Sequence, residues 1–119
     1  MPSAGPTIAV LPLGATEQHG PHLPFETDTV IADAIAKRVE AQLPGSINAL
    51  FLDVEPIGYS PEHMDFPGTI TLGFDEAINR WIGIGEAMHN RGINKFLMLN
   101  AHGGNSPLMT IVAGIAGAV

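Results

Sequence analysis

I-A-V-L-P-L-G-A-T-E-Q-H-G-P-H-L-P-F-E-T-D, running from Ile8 to Asp28, is the stretch on which the fold turns. Its opening, Ile8 to Leu13, is an apolar run bounded by Pro6 and Gly14. Strands covered on both faces lose the polar alternation of half-solvated ones, so this run reads as a buried strand. Pro12 has no N–H to give to a ladder, which points to a sheet edge or a bulge near the strand's end. Thr16 to Asp28 then packs four potential metal ligands, Glu17, His19, His22 and Asp28, directly behind the strand. Carboxylate and imidazole together are the ligand mix of a catalytic divalent metal site.

Working outward, Thr27 is placed to cap a helix beginning at Asp28, with Ile31, Ile35, Val39 and Leu43 recurring along one face until Pro44-Gly45 ends it. Ala49 to Val54 is a second strand. Pro56 to Thr71 is an irregular loop rich in polar side chains, of a length that is usually functional or disordered. Asp75 caps a helix to about Arg91, whose inward stripe is Ile78, Trp81, Ile82, Gly85 and Met88, with Gly92 as the residue just past its end. Lys95 to Leu99 is a third buried strand, followed by Asn100-Ala101-His102-Gly103-Gly104-Asn105 and a final helix from about Ser106. Strand alternates with helix three times, which predicts an α/β three-layer sandwich with a mostly parallel central sheet. From Phe96 to Val119 there is no charged residue. A helix apolar all round is normally buried on all sides, so more chain or a partner subunit should cover this one.

The chain has 119 residues, which predicts a single domain over residues 1–119. Five Lys and Arg against twelve Asp and Glu give a net charge of −7, unfavourable for nucleic acid or an anionic membrane as partner. There is no cysteine, which excludes a disulfide scaffold and a thiolate zinc finger. No basic leader and no apolar run of the roughly 18 residues needed to span a bilayer is visible, so a cytoplasmic protein is expected.

The chemistry gathers at strand ends. Glu17 and His19, two apart in extended backbone, point to the same side and can share one metal. Asp28 returns near a helix start, and His102 leaves the end of another strand. In open α/β sheets the carboxyl ends of parallel strands border the ligand crevice. The competing reading makes Glu17 a turn cap, Asp28 a residue of a first helical turn, and His19 and His22 solvent-exposed. Gly103, Gly104 and Asn105 open a helix with glycine amides that suit a substrate oxygen or an anion, or simply allow a tight turn. Ser60 is assigned to the same substrate pocket. His63, in S-P-E-H, divides evenly between pocket lining and a solvated loop. His22 is better placed to support than to ligate, and His89 sits on a helix surface. Trp81 and the methionines fit core positions.

Three ordered motifs, L-P-L-G-A-T-E-Q-H-G-P-H-L-P with T-D behind it, S-P-E-H-M-D-F-P-G-T, and N-A-H-G-G-N, resemble the creatininase (creatinine amidohydrolase) family from about Ile8 to Ser106. The resemblance implies a metal-dependent amidohydrolase that cuts a non-peptide C–N bond in a cyclic amide such as creatinine, or in a formamide, and works as a homo-oligomer. It implies Glu17, His19, Asp28 and His102 as ligands of one or two divalent ions (Zn²⁺, Mn²⁺ or Fe²⁺), with Asp28 shared where two are bound. A metal-activated water would attack a carbonyl polarised by the metal. Glu17 and, more weakly, His63 are the groups placed in catalysis. Creatininase proper carries a further metal-binding glutamate where this chain has Gly104; the H-G-G-N form resembles the wider family, including formamide hydrolases and mycofactocin peptide processing. Family members are longer, and their later segment adds an acidic ligand and substrate-lining histidine and tryptophan, so the chain is expected to correspond to an N-terminal portion, incomplete at its C-terminus. The alternatives are a metal-binding but inactive fragment and a non-enzymatic α/β module that holds a phosphate-bearing ligand on its glycine turn.

Overall fold

The computed structural model describes residues 6–17, 23–60 and 70–117. Three strands, β1 (Thr7–Leu13), β2 (Asn48–Phe51) and β3 (Lys95–Asn100), form a parallel sheet in the order β2-β1-β3. Helix α1 (Thr27–Gln42) joins β1 to β2, α2 (Phe74–Asn90) joins β2 to β3, and α3 (Ser106–Gly117) follows a short 3₁₀ turn at Gly103–Asn105. Pairing runs from Thr7 opposite Asn48 to Val10 opposite Phe51 on one side of β1, and from Ile8 opposite Lys95 to Leu13 opposite Asn100 on the other. The chain is thus an α/β fold with the expected parallel sheet. Among the described residues no helix is long and apolar enough to cross a membrane.

The core lies between the sheet and the α2/α3 layer. Leu11 and Leu13 of β1 meet Ala77, Ile78 and Trp81 of α2 and Leu108 and Val112 of α3. Full burial of such aliphatic side chains contributes about 1.5–3 kcal/mol each. Trp81 and Met88 take the core positions expected of them. Helix α2 starts one residue earlier than its expected cap: Gly73 precedes it, and the Gly73 N–H donates to the Glu76 carboxylate at 2.8 Å. It ends in a Schellman turn, with Ile93 N–H on the Met88 carbonyl, Gly92 N–H on that of His89, and Gly92 at φ +85°.

Four expectations are corrected. β1 is the central strand, not an edge. The Pro12 carbonyl faces the β2 side, where it accepts from Glu55 N–H at 2.9 Å, so the missing Pro12 N–H also faces a level that β2, ending at Phe51, no longer reaches. Helix α1 begins at Thr27, and the Thr27 hydroxyl donates to the Pro24 carbonyl instead of capping. Its buried face is Asp28, Ala32 and Ala36, while Ile31 and Ile35 are 44% and 45% exposed. The reason is close approach: a Cβ on Gly14 would come within 2.5 Å of the Thr29 Cα, so the first turn of the helix lies directly on the strand end, and the residues buried behind it are the small Ala32 and Ala36. β3 is not buried on both faces, since Leu97 is 53% exposed. Helix α3 is no fifth case: Leu108 and Val112 are buried while Ile111 is 39% exposed, so the described residues leave open the side for which a cover was expected.

Candidate metal centre

The segment behind β1 is pinned along its length. Gly14 N–H donates to the Glu55 carbonyl, the Thr16 hydroxyl to that of Pro56 at 2.7 Å, Ile70 N–H to that of Thr16, and Glu17 N–H to that of Phe25. Helix α1 is fastened to the same segment by the Thr29 hydroxyl, which donates to the Ala15 carbonyl at 3.0 Å. Asp28, next in chain, therefore turns its carboxylate toward the end of β1. From β3, Ala101 N–H donates to the Leu13 carbonyl, which carries His102 alongside.

Glu17, Asp28 and His102 are all buried, and one ligand atom from each lies within 4.8 Å of the others. His102 Nδ1 is 3.1 Å from Glu17 Oε1 and 3.0 Å from Asp28 Oδ2. The other ring nitrogen, Nε2, is 3.0 Å from the Tyr59 carbonyl oxygen and 3.0 Å from the Ser60 hydroxyl. A carbonyl oxygen only accepts, so the proton belongs on Nε2. That leaves Nδ1 as the ring nitrogen turned toward the two carboxylates. Two carboxylates and one imidazole converging in a buried space are a donor set that suits a divalent metal. Gly104 makes the fit close: a Cβ there would lie 2.5 Å from both His102 Nε2 and the Tyr59 oxygen.

The remaining site candidates fall in several places. His19, His22 and His63 lie outside the described residues. Ser60 is fully buried, with its hydroxyl 3.0 Å from His102 Nε2. Asn105, read from sequence as a substrate contact, is fully buried and its carboxamide is occupied: Oδ1 accepts from Tyr59 N–H, and Nδ2 donates to the Gly14 carbonyl and to Asn100 Oδ1. Gly103 is exposed on the turn. His89 is exposed, with Nδ1 2.9 Å from Asn94 Oδ1. A cavity of about 560 Å³ between α2 and β3 includes Trp81, Glu86, His89 and Phe96 but none of the three clustered groups.

Three contributors escaped the sequence reading. The Tyr59 carbonyl is a backbone group without any residue-type signature. Asn100 grips the His102 backbone from both sides, accepting its N–H at 3.0 Å and donating to its carbonyl at 2.7 Å; a side-chain amide at a strand end, two residues before a histidine, was the available signal. Glu55, 7% exposed, forms a two-pronged ion pair with Arg80 of α2. The hydrogen bond and charge of Glu55 raise the Arg80 guanidinium further above its already high range.

The sequence matches the family model of creatinine amidohydrolase (Creatininase) over residues 3–117. It is 38% identical over 121 residues to the mycofactocin precursor peptide peptidase of Mycobacterium tuberculosis (strain CDC 1551 / Oshkosh), covering 97% of this chain and 47% of that protein. It is 31% identical over 118 residues to the creatinine amidohydrolase of Pseudomonas putida, covering 95% of this chain and 43% of that one. The fold superposes on a manganese creatininase structure with a TM-score of 0.80 at 28% identity, covering 97% of this chain and 45% of the other. The chain therefore spans a little under half the length of the curated relatives it matches. With the family model matched along nearly the whole sequence, and with this sheet and these helices shared with a solved creatininase, the chain belongs to the creatininase family.

Proposed function

We propose that Glu17, Asp28 and His102, joined by His19, hold one or two divalent ions, and that the protein uses them to hydrolyse an amide C–N bond. The observation that carries this reading is the buried His102 Nδ1, set 3.0–3.1 Å from two carboxylates while Nε2–H is given to Tyr59. Zn²⁺, Mn²⁺ and Fe²⁺ all suit the donor set. A divalent ion supplies Lewis acidity toward a carbonyl and lowers the pKa of water. The chain's own residues do the rest: Tyr59 and Ser60 fix the imidazole, and the Asn100 clamp fixes its backbone. Where two ions bind, Asp28 would be the ligand held in common. Gly103 and Gly104, on the turn after His102, are the candidate donors for a substrate oxygen, and His63 is the candidate for proton transfer.

The substrate class is a small-molecule amide, either cyclic as in creatinine or a formamide. The relative of Mycobacterium tuberculosis, named as a precursor peptide peptidase, favours a peptide amide as the second reading. A homo-oligomer belongs to the same proposal, supported by the apolar side of α1 at Val30, Ile31, Ile35 and Val39. The test is hydrolysis of creatinine, formamides and short peptides by the metal-loaded protein, its chelated form, Glu17→Gln and His102→Ala. Activity on one class, lost on chelation and in both variants by more than the roughly 10–100-fold that supporting residues cost, is expected. Activity retained in either variant would refute the assignment.

A further inference from the structure

Asn105 does not touch the three clustered groups, yet it touches what holds each of them. Its Oδ1 accepts from the Tyr59 N–H at 2.9 Å. The carbonyl of that same residue takes the His102 Nε2–H, so the peptide that sets the tautomer of His102 is itself set by Asn105. Its Nδ2 donates at 3.1 Å to the Gly14 carbonyl, 91 residues away in sequence. Gly14 opens the segment that bears Glu17, and it is also the surface on which the first turn of α1, bearing Asp28, rests. The second Nδ2 hydrogen goes to Asn100 Oδ1, 3.1 Å away, and Asn100 clamps the backbone of His102. One fully buried carboxamide thus spans the three strand-end segments, with each hydrogen and its oxygen engaged.

We propose that Asn105, with Asn100, is a positioning residue for the centre: it sets the His102 tautomer through the Tyr59 peptide and the spacing of Glu17 and Asp28 through Gly14. This rests on the metal reading above for its consequence, not for its geometry. A buried amide that served packing alone would be replaceable at a cost in stability without altering the ring of His102. A positioning amide would not, because an imidazole freed from Tyr59 can exchange which nitrogen carries the proton.

Two variants perturb the brace differently. Asn105→Asp keeps an oxygen for Tyr59 N–H but turns two donated hydrogen bonds into oxygen facing oxygen. Gly58→Ala leaves every hydrogen-bonding group in place and drives a Cβ to 2.5 Å from Asn105 Oδ1 and 2.6 Å from the Gly14 oxygen. Val112→Ala, buried in the α3 core, is the control that lowers stability elsewhere. The experiment records the ¹⁵N and ¹H resonances of the His102 ring in the metal-free protein, then titrates Co²⁺ and follows its visible absorption. In both brace variants the Nε2–H signal is expected to shift or exchange away, and Co²⁺ affinity to fall about 10–100-fold with an altered band. Val112→Ala should melt lower and keep both signatures. Brace variants that melt lower but retain the His102 resonances and the wild-type Co²⁺ band would overturn the proposal. If the wild-type protein took up no Co²⁺, the metal reading would fall, and the His102 resonances alone would still decide for or against the brace.

Discussion

Gly104 lies against the His102 ring, where a methyl group would meet Nε2 and the Tyr59 oxygen at 2.5 Å. Gly104→Ala should therefore cost about 1–3 kcal/mol, the usual range for overpacking a filled site, measured by urea denaturation of the metal-free protein. A cost below about 0.5 kcal/mol would mean that the ring yields freely and is not held as described. Ser60→Ala removes the hydroxyl beside the same nitrogen and should weaken metal binding about 10–100-fold, read by competition with a chelator, while the fold persists. At this scale the sequence was informative about residue types and silent about atoms. The spacing of Glu17, Asp28 and His102 behind strands marked them as a set. Which imidazole nitrogen faces the carboxylates depends on a backbone oxygen 43 residues from His102, and no pattern of side chains records that. Asn105 illustrates the same point: a polar residue beside glycines looks available in the sequence, and its carboxamide is engaged by buried partners.

Helix α1 shows how an element can be found and still be turned the wrong way. Its apolar periodicity marked the helix, but the residues that approach the sheet are Ala32 and Ala36, about one position round from Ile31 and Ile35. Ala36→Leu should destabilise by about 1–3 kcal/mol through overpacking, whereas Ile35→Lys should change monomer stability by no more than about 0.5 kcal/mol. Equilibrium denaturation of the two would contradict this orientation if the order reversed. The end of α2 was legible because Gly92 is a positive-φ residue with a chemical signature, and Gly92→Ala should cost about 1–2 kcal/mol. The rank of β1 was not legible. Pro12 argued for an edge, and only the level at which β2 stops explains how a proline sits in the central strand.

Across the molecule, the alternation of strand and helix was enough to give a parallel α/β architecture, and the three motifs were enough to give the family. Strand order is a matter of which edges pair, and one sequence carries no record of that for β2-β1-β3. The order matters to function because it sets β1 and β3 side by side with their carboxyl ends level, Leu13 opposite Asn100, so that Glu17 and His102 leave the sheet together. The α1 helix, resting on Gly14, then brings Asp28 to the same place from above. Metal content is the most direct measurement of the central claim. The purified protein, dialysed against Zn²⁺ or Mn²⁺ and then against metal-free buffer, should retain at least one equivalent of ion per chain and melt at a lower temperature after chelation. His102→Ala should retain none. A wild-type protein that emerges metal-free with a melting temperature indifferent to chelator, or a His102→Ala variant that keeps a full equivalent, would contradict the account.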